Sequence, residues 1–243
     1  MTKACWFTIC FLAYFSSAMA FQRADIMKLR SDYSDNKKQI AIKQGELKAR
    51  YLQYTNENDR NELLDASAQY VFENLTENIF PAWYGTEWDF NGNTRVPGEG
   101  GIACGSFVVF TLQDVGFKIP SGMYRQPSEN IIKNLTTSSN IKRFPNHAPM
   151  DKIINWIHQK GEGLYIVGLD IHVGFIIFKN GRITFCHSSY YEPPLKVVNQ
   201  AVTAESPLTD SNYRVLGKIL TKEMMKKWLS GEEFEVIHDY FRR

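Results

Sequence analysis

The sequence predicts an α+β domain in which a buried helix packs on an antiparallel sheet, preceded by a helical extension. Three observations carry this. Runs at 163–168, 172–178 and 182–188 are rich in Ile, Val, Phe and Tyr, the residues that suit a pleated, buried surface. Asn180-Gly181 joins the last two runs and is among the strongest short hairpin signals, which makes that pair antiparallel. Residues 103–115 set Phe107, Val108, Phe110, Thr111 and Leu112 at helical spacing, with Gly116 where a helix would stop. Composition agrees with a folded domain. With 44% apolar and 14% aromatic residues the chain is too hydrophobic for disorder, and a formal charge of +2 is too small for a general nucleic-acid binder. A length of 243 residues suits one domain, or one domain with an extension.

Taken in order, residues 1–20 have the three parts of a secretory signal. Lys3 gives a positive start, residues 4–15 are apolar except for Thr8, and Ala18-Met19-Ala20 is the small-x-small pattern of a cleavage site. A run of about twelve apolar residues is too short to span a bilayer, so cleavage after Ala20 is expected, with no membrane anchor remaining and a secreted or periplasmic location. Residues 21–78 are polar and helix-favouring. They read as two helices, 24–54 and 59–78, the first with an apolar stripe at Ile40, Leu47, Tyr51 and Leu52 and the second started by Asn58 or Asp59.

Residues 79–243 form the expected main domain. It opens on a loop, 81–101, that carries Trp83, Tyr84, Trp88 and Phe90 among five glycines; such loops wall ligand clefts, or plug a core. The 103–115 helix follows, with Cys104 in its first turn. Residues 117–160 read as a mixed connector ending in an amphipathic helix from about 150 to 160, apolar at Ile153, Ile154, Trp156 and Ile157. After the three strands come a further strand near 213–220 and a closing helix from 221 to about 229.

Four cysteines are too few for a disulfide scaffold, and signal removal leaves only Cys104 and Cys186. A single bridge between them is the first reading, and hairpin register weighs against it. With Asn180-Gly181 as the turn, Phe175 faces Cys186 and Gly174 faces His187. His172, Gly174 and His187 then share one side of the sheet, with the two imidazoles diagonal neighbours about 7–8 Å apart at the backbone and nothing at Gly174 between them. Cys186 points to the other side, away from the histidines, and reads as a small buried hydrophobe. Cys104 is left as a free sulfur at a helix start, where the partial positive charge and a nearby imidazole favour thiolate. A thiolate, a proton-shuttling histidine and a group that orients it are the parts of nucleophilic cysteine catalysis, and Cys104, His172 and His187 supply them. The alternative is two ordinary strand histidines and a core thiol. No metal or cofactor is expected, because the histidines lack a carboxylate or thiolate at ligand spacing.

Residues 171–189, Ile-His-Val-Gly-Phe-Ile-Ile-Phe-Lys-Asn-Gly-Arg-Ile-Thr-Phe-Cys-His-Ser-Ser, resemble the NlpC-type cell-wall cysteine peptidases, with their His-Val-Gly strand, short turn and second strand ending in His-Ala-Ser. Residues 85–92, Gly-Thr-Glu-Trp-Asp-Phe-Asn-Gly, are similar to that family's Gly-Thr-Pro-Tyr-x-Trp-Gly-Gly segment. Cys104-Gly105-Ser106-Phe107-Val108 stands where Cys-Ser-Gly-Phe-Val would stand. The three motifs occur in family order over roughly residues 83–190. The resemblance implies a papain-like fold, Cys104 as nucleophile, His172 as general base, His187 as the group orienting it, and hydrolysis of amide bonds in peptides, peptidoglycan stem peptides above all. Tyr84, Trp88, Phe90 and Ser106 are the expected substrate-binding residues. The chain departs from the pattern at Ala103 and Gly105, where the family carries Asp and Ser that help to recognise a free amino end. Two further readings stand beside hydrolysis: a thiol-dependent acyltransferase, and a non-catalytic module that holds a glycan or peptide on Trp83, Tyr84, Trp88 and Phe90.

Overall fold

A computed structural model describes residues 23–236; the expected signal segment, 1–20, lies outside the described residues. Its centre is a six-stranded sheet in which every neighbouring pair is antiparallel. In chain order, β1 (Glu87–Trp88) and β2 (Gly101–Ile102) pair in parallel as a small separate ribbon. The main sheet comprises β3 (Ile141–Phe144), β4 (Gly163–Leu169), β5 (Val173–Lys179), β6 (Arg182–Ser188), β7 (Val197–Ala201) and β8 (Arg214–Lys218), in the order β3-β8-β4-β5-β6-β7. The hairpin register is the one the turn dictates. Phe175 faces Cys186 and Lys179 faces Arg182, with Asn180 and Gly181 both at positive φ (51° and 71°) as a primed turn requires.

Both faces of the sheet are covered, which is why β4 and β5 are almost continuously apolar. The helices comprise α1 (23–31), α2 (Tyr33–Gln53), α3 (Glu57–Asn74), α4 (Phe80–Trp83), α5 (Cys104–Asp114), α6 (Ser128–Leu135), α7 (Met150–Lys160), α8 (Pro207–Asp210) and α9 (Lys222–Ser230). One face, with Ile166, Phe175, Ile177 and Cys186, packs on α5 and α6, and the buried sides of α2, α3 and α9 extend the same core. The other, with Tyr165, Val167, Ile176, Phe178 and Phe185, packs on Ile153 and Ile157 of α7. No helix among the described residues is long and apolar enough to cross a membrane.

The N-terminal helices belong to the same core. Tyr33, Ile40 and Leu47 of α2 are buried beside α5 residues, whereas Leu52, expected on that stripe, is exposed. The second helix starts two residues earlier than the sequence suggests, because Asn56 accepts the backbone N–H of Asn58 as its cap. It runs on through a π-helical turn (Leu75–Ile79) into α4, so residues 57–83 form one helical path across position 78. Trp83, read as part of a loop, is therefore a fully buried helix residue packed edge-on against Tyr33 and Phe107. α6 and β3 fell inside the stretch read as a mixed connector, and β1 inside the 81–101 loop. α6 and β3 depend on partners distant in sequence, α6 on β4 and β8 and β3 on β8; β7, in a stretch given no element, pairs with its chain neighbour β6.

A polar chain ties the extension to the far end of α5. Trp83 Nε1 donates to Tyr33 Oη (2.7 Å), Tyr33 Oη donates to the buried Asp114 carboxylate (2.7 Å), and Lys37 pairs with the same carboxylate (2.5 Å). A carboxylate at a helix C-terminus opposes the helix dipole, and the Lys37 ammonium offsets it. Asp114→Ala leaves the Tyr33 hydroxyl and Lys37 without their acceptor. It is expected to lower the urea-unfolding free energy by about 2–3 kcal/mol, and an unchanged midpoint would show that α2 docks without this chain.

Candidate active site

Cys104 is the first residue of α5. Ala103 precedes it in extended conformation (φ −76°, ψ 159°), so the chain enters the helix abruptly, and Ala103 offers the first-turn N–H groups no side-chain cap. Two close approaches permit this. A Cβ on Gly105 would lie 2.3 Å from the Tyr124 carbonyl oxygen, so only glycine lets the first turn rest on that backbone. A Cβ on Gly92 would lie 2.5–2.6 Å from Gly101 and Ile102, and the Gly92 carbonyl accepts the Ala103 N–H (2.9 Å). Ser188 Oγ donates to the Ile102 carbonyl (2.7 Å) and fastens the same strand to the end of β6.

His172 lies in the tight turn between β4 and β5, closed by the Leu169 N–H donating to its carbonyl (2.8 Å). His187 is the penultimate residue of β6. His172 Nε2 and His187 Nδ1 are 2.9 Å apart, and both rings are buried. Gly174 makes room for the pair: a Cβ there would stand 2.8 Å from the His187 Cβ and 2.7 Å from the Phe185 ring. Phe185 stacks on His187 with ring centroids 3.9 Å apart. The outer nitrogens, His172 Nδ1 and His187 Nε2, have no hydrogen-bond partner. If His172 Nε2–H donates to His187 Nδ1, then His172 Nδ1 carries a free lone pair; the reverse tautomer would put a proton there instead.

Cys104 and His172 both line a cleft of about 500 Å³, together with Trp88, Phe90, Ser106 and Tyr190. The backbone N–H of Val173, the residue after His172, reaches the Cys104 sulfur, as do those of Gly105 and Cys104 itself. Of the expected substrate-binding residues, Trp88, Phe90 and Ser106 line this cleft, with Ser106 buried and Phe90 78% exposed. Tyr84 does not. The helix continues through α4, so residue 84 leaves on the core side, and its ring turns to Cys186 and Asn199. Tyr190 was not anticipated. It follows β6 in an irregular stretch without periodic signal, and its ring packs 5.3 Å from His172 and 6.1 Å from Trp88.

Two expectations about the sulfurs need correction. Both cysteines are free thiols, but not because they lie on opposite sides of the sheet. Cys186 opposes His187 across its strand as expected, yet it occupies the face that Cys104's own helix covers. The Cys104 thiol is not shifted toward thiolate either. Burial pushes its pKa up, and the three backbone N–H groups offset this only in part. The histidines move the other way. Burial pushes His172 down to about 3, and burial with the neighbouring His172 pushes His187 down to about 2. The resting site is thus a neutral thiol beside two neutral imidazoles.

Among the described residues no group of His, Cys, Asp and Glu is placed to hold a metal ion. Comparison with protein-family models, with curated proteins and with solved structures finds no match to this chain.

Two outcomes follow from the neutral site. Native-state alkylation of Cys104 by iodoacetamide should be slow at pH 6 and rise only above the ordinary thiol value of about 9; rapid labelling at pH 6 would mark a thiolate–imidazolium pair instead. For stability, the native histidines stay neutral while an unfolded histidine protonates near about 6.5. Stability is unaffected above that pH and is lost as pH falls from about 6.5 toward about 3. His187→Gln should reduce the acid slope of the unfolding free energy by about 1.4 kcal/mol per pH unit, and an unchanged slope would show that His187 titrates normally.

Proposed function

We propose that this chain is an exported cysteine amidase or peptidase, a hydrolase of amide bonds in peptides, with peptidoglycan stem peptides as the candidate substrate. The observation that carries the reading is the convergence on one cleft of a thiol at the start of a buried helix and of His172, which is hydrogen-bonded to His187 behind it. A buried helix on an antiparallel sheet, with Cys, His and His in that chain order, also supports a papain-like, NlpC-type frame. The expected signal segment, cleaved near Ala20, supports export to the periplasm or the medium.

His172 Nδ1 accepts the thiol proton as the sulfur attacks the substrate carbonyl. Because thiol and imidazole are both neutral at rest, proton transfer accompanies formation of the S–C bond. The backbone N–H of Cys104, at the start of α5, is the first donor to the developing oxyanion once the sulfur has moved onto the carbonyl carbon. His187 Nδ1 accepts from His172 Nε2–H and stabilises the imidazolium that forms, the part an orienting group plays in a triad. The C–N bond then breaks, and the proton on His172 passes to the leaving amine. Water, deprotonated by the same imidazole, attacks the thioester and regenerates the thiol.

Digestion of peptidoglycan fragments, followed by mass spectrometry, tests this. The wild type should release peptide products and Cys104→Ala should release none, with His172→Ala reduced by at least about a hundredfold. Full activity in Cys104→Ala contradicts the assignment.

A further inference from the structure

The thiol sits where two recesses meet, and their charges differ in sign. The larger is the 500 Å³ cleft; its one charged side chain is Arg125, and no Asp or Glu lines it. Arg125 is exposed, lies 5.2 Å from the Tyr124 ring centroid, and pairs with no carboxylate among the described residues. The smaller, about 250 Å³, shares Cys104, Tyr124, Ile171 and His172 with the first, and its one charged side chain is Asp170. Each Asp170 oxygen accepts one backbone N–H, from Asn212 (2.8 Å) and Tyr213 (3.0 Å). The carboxylate is held in place yet keeps lone pairs free for a ligand. The apolar surface is uneven too. Phe90 and Ile171, each 78% exposed, are the most exposed large hydrophobic side chains among the described residues; Ile171 stands between the two recesses, and Phe90 borders the larger alone.

We propose that the groove selects a zwitterionic peptide segment. Its anionic, apolar half lies against Arg125 and Phe90, its cationic half faces Asp170, and the bond between them crosses Cys104. Only the position of that bond rests on the catalytic reading above. Exposed charges at this range give modest, salt-screened discrimination, so the pair sets orientation more than affinity.

The polarity is measured as equilibrium binding to the Cys104→Ala protein, which separates it from hydrolysis. Three capped peptides serve as probes: acetyl-Glu-Phe-Ala-Lys-amide, its charge reversal acetyl-Lys-Phe-Ala-Glu-amide, and the neutral acetyl-Gln-Phe-Ala-Gln-amide. One zwitterion should bind about tenfold more tightly than both the other and the neutral peptide. The preference should vanish when Arg125→Glu is added, weaken with Asp170→Asn, and shrink in about 0.5 M salt. Thermal melting confirms that the exposed Arg125 substitution leaves the fold intact. Binding of all three peptides within twofold, no binding of either zwitterion at millimolar concentration, or a preference that survives Arg125→Glu overturns the proposal. Should the preference appear while wild-type protein cleaves nothing, the catalytic reading fails and the polarity stands.

Discussion

The burial of one helix fixes everything at the cleft. Nine residues of α5 are buried, and Phe107 sits among Phe80, Trp83 and Phe175 with ring centroids 5.8–6.3 Å away. Such an aromatic cluster is a large share of the local hydrophobic stabilisation and leaves the helix no freedom to slide or rotate. Its two ends are then defined by different chemistry. The C-terminal end is held by Asp114 to Tyr33 and Lys37, which makes the N-terminal helices part of the same folding unit as the sheet. The other end is pressed onto the Tyr124 backbone through Gly105 and presents Cys104 where β5 begins.

The histidine pair meets this helix from around the end of the sheet. His187 belongs to the face opposite α5, stacked on Phe185, and it reaches the cleft only through His172, which lies in the turn between β4 and β5. Burial on that face removes water from the pair and disfavours the imidazolium. The thiol is likewise penalised as thiolate. On the catalytic reading proposed above, such a site would hold no charge until substrate arrived, and the charge created during attack would appear among groups already in position to receive it. Protonating the pair without substrate is costly, so the same burial that places the imidazoles makes the fold sensitive to acid.

Local signals were legible in the sequence, and long-range ones were not. The Asn180-Gly181 turn fixed the β5–β6 register, and the register with Gly174 placed the two imidazoles side by side, because period-2 alternation and turn geometry need no tertiary information. The apolar spacing of 103–115 likewise marked α5. By contrast β3 is held by β8, far away in sequence, Arg125 ends a short 3₁₀ turn, and Tyr190 lies in an irregular segment where no periodicity points. Tyr84 and Trp83 were misplaced because aromatic residues beside glycine read as a loop, while the helix before them runs on through Pro81. The thiol's shift was misjudged for a related reason. A helix start favours thiolate, but the depth of burial that outweighs it is a property of the whole core.

The central claim is that Cys104 attacks an acyl carbon with help from His172. It is tested most directly by trapping the intermediate. Protein quenched in acid during turnover of a peptide substrate, then digested and analysed by mass spectrometry, should carry the acyl mass as a thioester on the fragment containing Cys104. The adduct should be absent in His172→Ala under the same quench. An acyl mass on any other residue, or continued turnover with Cys104 alkylated, would contradict the account.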